Sequence, residues 1–191
     1  AFWMVAASVH PDAEIHLTGV GMNPTRTGIV EALGAMGADL AIEEERTVAG
    51  EPVADIVVRS SELRGVTVEG DLIVRMIDEI PALAVAAAFA QGATTIRDAA
   101  ELRVKESDRI ATTVSQLAAL GVSISARDDG MIIEGGTPPG GGEVRSFGDH
   151  RLAMALAAGA LAGRGAVRID EAEAVAVSYP EFWRDLQRLG G

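Results

Sequence analysis

Hydrophobic and polar positions along the chain repeat one pattern three times. Amphipathic segments ending Leu33–Gly37, Leu117–Gly121 and Leu186–Gly190 each close on a glycine. A glycine just past the last apolar position is a helix stop signal. A strand-like stretch precedes each segment: Glu14–Val20, Thr94–Arg97 and Ala166–Ile169. Each strand in turn follows an Ala-rich apolar helix: Phe2–Ser8, Ile80–Ala90 and Leu152–Leu161. After the first two glycine stops come strand pairs. Asp39–Glu43 pairs with Asp55–Arg59, and Ser123–Ala126 with Met131–Glu134 across the turn Asp128-Asp129-Gly130.

The predicted unit is helix, strand, loop, helix and hairpin, present about three times. Irregular loops between the units argue against a tight solenoid. The expected fold class is α+β with internal pseudo-threefold symmetry, sheets facing solvent and Ala-rich helices buried at the centre. Composition agrees: 48% of residues are hydrophobic but only 4% aromatic, so Ala, Val, Leu and Ile must fill the core. The 191 residues suffice for one such domain. Ala1 opens inside an apolar run with no initiator Met or cap before it, which reads as a fragment, or a chain whose N-terminal part is missing.

Charge and residue usage exclude several functions. A net charge of -12 argues against general binding to nucleic acid or anionic membranes. With no cysteine, thiolate nucleophiles, disulfides and Cys-ligated metals are ruled out. No spacing suits a metal site. The apolar runs are too short to span a bilayer, and no signal or transit peptide is visible, so the expected compartment is the cytoplasm. Gly135–Gly142 contains two prolines and lacks the Lys-Ser/Thr ending of a phosphate loop. An anionic ligand therefore needs a local basic pocket in an acidic body.

Three places could form that pocket. The first is Glu101–Arg109, which holds Lys105, the only lysine among sixteen basic residues. Lysine is a compact point charge with a tunable pKa, unlike the rigid arginine fork. A helix beginning near Glu106 or Ser107 would add the positive end of its dipole. Arg103, Lys105 and Arg109 would then form a cationic cluster for carboxylate or phosphate, with Glu106 available for proton exchange. The same residues also suit a solvated first turn with an i,i+3 pair. The second place is Phe147–Met154, where Asp149 reads as an N-cap and Arg151 opposes the helix dipole unless an anion sits there. Ser146, Asp149 and His150 match triad residue types only by crowding in one turn. The third is Asp78-Glu79 before Pro81, either a helix start rich in acid or a carboxylate base facing a cleft. His10 and His16 are isolated and read as structural.

These segments carry a resemblance. Leu102–Arg109 closely resembles a signature of the 5-enolpyruvylshikimate-3-phosphate synthase (3-phosphoshikimate 1-carboxyvinyltransferase) family. Asp149–Met154 resembles its second motif, in the expected order. Asp78–Pro81 falls where the family has its catalytic aspartate, and Ser178–Phe182 resembles the entry to its closing helix. The resemblance covers the whole chain but only the C-terminal half of the enzyme, which implies an N-terminal partner domain that is missing here.

That resemblance implies two domains of three βαβαββ-type units, with the active site between them. It implies transfer of the enolpyruvyl group of phosphoenolpyruvate to the 5-hydroxyl of shikimate 3-phosphate, in aromatic amino-acid biosynthesis, with no metal or organic cofactor. By resemblance Asp78 is the proton acceptor and contacts the shikimate hydroxyls. Lys105 binds shikimate 3-phosphate, and Glu106 exchanges the proton at the enolpyruvyl carbon. Arg109 and Arg151 hold phosphoenolpyruvate. Two positions depart from the pattern: Glu101 stands where some members use asparagine for shikimate phosphate, and Val177 where some use a lysine for phosphoenolpyruvate. The related UDP-N-acetylglucosamine enolpyruvyl transferase has a similar fold and reaction, but the Arg103–Arg109 signature argues against it. A non-catalytic binder of anionic metabolites is the alternative outside enzymes, and would have no use for Asp78 and Glu106. The fragment alone is expected to be inactive.

Overall fold

The structure, a computed structural model, describes residues 1–189. Three sheets surround three buried helices. The first unit contributes α1 (Phe2–Val9), β1 (Glu14–Gly21), α2 (Gly28–Ala35), β2 (Asp39–Val48) and β3 (Glu51–Arg59). The second contributes β4 (Thr67–Val68), α3 (Asp71–Val74), α4 (Ile80–Phe89), β5 (Thr94–Ile96), α5 (Arg109–Ala119), β6 (Ile124–Arg127) and β7 (Gly130–Ile133). The third contributes β8 (Gly142–Arg145), α6 (His150–Leu161), β9 (Val167–Asp170) and α7 (Phe182–Leu189).

The sheets run β1-β3-β2, β4-β5-β7-β6 and β8-β9. In the second and third units a parallel strand pair, β4 with β5 and β8 with β9, flanks a buried helix, α4 or α6. Antiparallel hairpins close the first two units. The expected pseudo-threefold α+β architecture is therefore present, with its helices inside and its sheets outside.

Alanine makes the centre possible. Nine of the ten residues of α4 are buried, and α6 buries Leu152–Gly159 continuously. A helix that is apolar all round belongs inside a core. α1, α4 and α6 pack on one another. At Gly159 a Cβ atom would lie 2.8 Å from Val85 Cγ1, so the missing side chain sets how near α6 comes to α4. The outer helix α5 is amphipathic instead, burying Ile110, Thr113 and Leu117 on one face.

Local signals hold with adjustments. Gly37 and Gly121 close their helices at φ of 90° and 82°; the matching Gly190 lies outside the described residues. The β6–β7 turn is Asp128-Asp129, because Arg127 pairs with Gly130. Gly130 is there for another reason: a Cβ would lie 2.0 Å from the carbonyl oxygen of Ile96 on the neighbouring strand. Four of the seven aromatic residues gather at the chain's end. Trp3 stacks on Phe182 at 5.0 Å and donates to the Tyr179 hydroxyl, which donates to Asp185. The Ser178–Phe182 segment thus pins α7 to α1.

Candidate active site

The buried helices begin at one end of the domain. Arg151, in the first turn of α6, donates to Glu79 at the start of α4 (3.1 Å). Helix N-termini carry partial positive charge, and the three candidate segments meet at this end.

Arg109 is at their centre. Its side chain is 1% exposed, the largest fully buried side chain described. Nε donates to Asp149 Oδ2 at 2.7 Å, Nη1 to Asp78 Oδ1 at 3.0 Å, and Nη2 to Glu106 Oε2 at 2.6 Å. Nη2 also reaches Asp149 Oδ1 at 3.4 Å. One guanidinium therefore fixes three carboxylates from three separate segments. A rigid five-donor fork can do this; an ammonium cannot.

The other cations lie nearer the surface. Lys105 Nζ is 2.8 Å from Glu101 Oε1 and 3.8 Å from Asp78 Oδ1. Arg151 directs Nη1 to Glu79 Oε1 and to the Asp78 carbonyl (3.3 Å), with Nη2 3.5 Å from Asp78 Oδ2. Glu106 is the most open of the three carboxylates on Arg109, at 47% exposure. Asp78 is 29% exposed and lies within 4 Å of all three cations.

These contacts set the protonation states. Burial works against ionisation of Asp78, but Arg151, the Arg109 hydrogen bond and Lys105 outweigh it and hold the carboxyl below its ordinary value. Burial also opposes the charge of Asp149, which Arg109 and the backbone amides of Leu152 and Arg151 more than offset. Arg109 itself is pulled down by burial and raised further by Asp149, Glu106 and Asp78, so it stays charged.

Several expectations need correction. α5 starts at Arg109, capped by the Asp108 carboxylate on the Ala111 amide, so Lys105 and Glu106 lie in the preceding loop. Arg103 is not in the cluster. It donates to the Asp128 and Arg127 carbonyls and to Asp108, holding the β6–β7 hairpin. Nor is the cluster cationic: Asp78, Glu79, Glu101, Glu106 and Asp149 face Lys105, Arg109 and Arg151, a formal net of −2. The Asp78-Glu79 pair does not cap α4, since no side-chain cap bond forms there. Ser146 donates to the Glu171 carbonyl and accepts from the Gly148 amide, in keeping with the reading that its place beside Asp149 and His150 is a coincidence of crowding. Glu101 holds Lys105, and Val177 is exposed.

Asp149 is the N-cap the sequence predicts, accepting from the Arg151 and Leu152 amides. Its bonds to Arg109 and to the Ser107 hydroxyl (3.1 Å) were not legible. Glu79 was missed as the partner of Arg151. No local signal points to it, since acids are common in the first turn of a helix.

Comparison with known proteins decides the family. The family model described as EPSP synthase (3-phosphoshikimate 1-carboxyvinyltransferase) matches residues 1–186. The chain belongs to the EPSP synthase family. It is 58% identical to the 3-phosphoshikimate 1-carboxyvinyltransferase of Herpetosiphon aurantiacus over 188 residues, covering 98% of this chain and 44% of the relative. The Synechocystis enzyme of the same name is also 58% identical, with 99% and 42% covered. The chain thus spans less than half the length of these EPSP synthase relatives. An EPSP synthase structure from Acinetobacter baumannii superposes with a TM-score of 0.93 at 43% identity, covering 99% of this chain and 44% of that one. The enolpyruvyl transferase NikO from Streptomyces tendae gives 0.77 at 26%, covering 99% and 41%. Among the described residues no helix is long and apolar enough to cross a membrane.

Proposed function

We propose that the chain forms one wall of the active site of a 3-phosphoshikimate 1-carboxyvinyltransferase. The supporting observation is the meeting of Asp78, Lys105, Glu106, Arg109 and Arg151 at one spot in a chain of this family. The reaction joins the 5-hydroxyl oxygen of shikimate 3-phosphate to C2 of phosphoenolpyruvate while a proton adds at C3. The resulting tetrahedral intermediate loses a proton from C3 and expels phosphate. Two proton-handling groups and a set of cations suffice for this; the proposal uses no metal or organic cofactor.

In this reading Asp78 accepts the hydroxyl proton and Glu106 exchanges the proton at C3. Lys105 holds shikimate 3-phosphate, and Arg151 receives phosphoenolpyruvate. Arg109 contributes charge to the same ligand but chiefly organises the carboxylates, since its donors are already engaged. Asp78 is a weak base while three cations face it. A polyanionic ligand on Arg151 and Lys105 cancels part of that field and moves Asp78 back toward a useful base.

A pure anion binder fits less well. An anion binder has no use for carboxylates such as Asp78 and Glu106 beside its cations, whereas acid–base chemistry needs them next to the ligand. The second wall is assigned to the N-terminal part of the longer polypeptide, beyond residues 1–191. The purified chain should therefore be inactive, and mixing it with the separately produced remainder should restore turnover. Appreciable turnover by the 191-residue chain alone overturns this assignment.

A further inference from the structure

We infer that Glu79 is a positioning residue that selects which edge of the Arg151 guanidinium meets the carboxylate of a ligand. This rests on the proposed role of Arg151 toward phosphoenolpyruvate.

A guanidinium offers two bidentate edges, Nη1 with Nη2 and Nη2 with Nε. In Arg151 the two differ. Nη1 donates to Glu79 Oε1 at 3.1 Å and to the Asp78 carbonyl at 3.3 Å. Nη2 is 3.5 Å from Asp78 Oδ2, and Nε has no partner among the described residues. Glu79, with the Asp78 carbonyl, therefore holds Nη1, and the Nε–Nη2 edge, which carries only the longer 3.5 Å contact to Asp78 Oδ2, is the one a ligand carboxylate can take.

The location of Glu79 supports a positioning role. It is the N-cap residue of α4, yet its carboxylate caps no amide of that helix. It reaches instead across 72 positions to the first turn of α6. Arg151 needs such an anchor, because the positive end of the α6 dipole repels it. Both side chains are about one-fifth exposed, so the pair is shielded without being sealed. Arg109 offers no comparable choice: four hydrogen bonds to three carboxylates hold its guanidinium on every nitrogen. Of the two arginines assigned to phosphoenolpyruvate, Arg151 is the one whose orientation one neighbour can set.

The test uses the intact longer polypeptide, with steady-state kinetics and calorimetric binding of phosphoenolpyruvate. Glu79→Gln should raise KM and Kd for phosphoenolpyruvate about tenfold, the scale of one charge-assisted hydrogen bond. Its kcat should stay within about threefold, and KM for shikimate 3-phosphate should not change. Glu79→Asp, which keeps the charge on a shorter arm, should be intermediate and also serves if the glutamine variant folds poorly. In an Arg151→Lys background Glu79→Gln should add little further loss, because its target is gone. An unchanged KM, an equal loss for both substrates, or full additivity with Arg151→Lys overturns the inference. A parent that binds phosphoenolpyruvate without turning over overturns the proposed function and leaves the binding arm to decide Glu79. A parent that does not bind it overturns both.

Discussion

The guanidinium of Arg109 and the carboxylate of Asp149 are joined at 2.7 Å, both shut away from solvent. This bond ties α5 to α6 across 40 positions. Removing one partner of a buried pair leaves an uncompensated charge, at a cost of about 3–5 kcal/mol. Arg109→Ala should cost that much or more, because Glu106 and Asp149 would lose their cation and Asp78 one of its three. Asp149→Asn keeps an acceptor for the helix amides and should cost about 1–3 kcal/mol. Urea unfolding of the intact polypeptide checks both; equal midpoints for parent and Arg109→Ala would remove Arg109 from its organising role.

The same pairing predicts acid sensitivity. Asp78 and Asp149 both have folded-state values below the ordinary 3.8. A depressed carboxyl contributes stability that is fully present above its unfolded value and is lost as pH falls through the folded one. The urea midpoint should therefore hold steady from neutral pH to about 5 and fall below about 4. In Asp149→Asn the fall should be shallower, since one of the two groups no longer titrates.

Lys105 should not be replaceable by arginine. Its ammonium sits between Glu101 and Asp78, at 2.8 and 3.8 Å. A guanidinium is longer and planar, and would displace one of these neighbours. Lys105→Arg should lower kcat/KM at least tenfold with less than about 1 kcal/mol change in stability, because its closest partner, Glu101, is largely exposed. Kinetics and thermal unfolding together separate the two effects.

The central helices leave no room at Gly159. Its added Cβ would lie 2.8 Å from Val85 Cγ1. Gly159→Ala should destabilise by about 1–3 kcal/mol through overpacking, although alanine is the better helix former. The double change with Val85→Ala should recover part of the loss, measured by thermal unfolding.

Much of the architecture was legible in the sequence because alanine-rich helices and glycine stops are local signals. The buried helices Phe2–Val9, Ile80–Phe89 and His150–Leu161 follow from their apolar composition. The short strands Thr67–Val68 and Gly142–Arg145 were not read, since two to four residues carry too little periodicity to stand out. At the site, the residue types were visible but their pairings were not. Arg103 and Arg109 are indistinguishable by type and spacing, yet one clamps a hairpin and the other is buried among carboxylates. Contacts of Arg109 spanning 31 and 40 positions decide this, as one spanning 72 decides the pairing of Arg151 with Glu79. No local pattern encodes them.

The most direct measurement follows the hydrogens at C3 of phosphoenolpyruvate. In the intact polypeptide with shikimate 3-phosphate and deuterated solvent, reversible proton addition at C3 should introduce deuterium into recovered phosphoenolpyruvate. Glu106→Gln should slow that exchange and kcat together by about 10²–10⁴, while phosphoenolpyruvate still binds within about tenfold of the parent. Exchange at the parent rate in Glu106→Gln would contradict the assignment of Glu106 as the group that handles this proton.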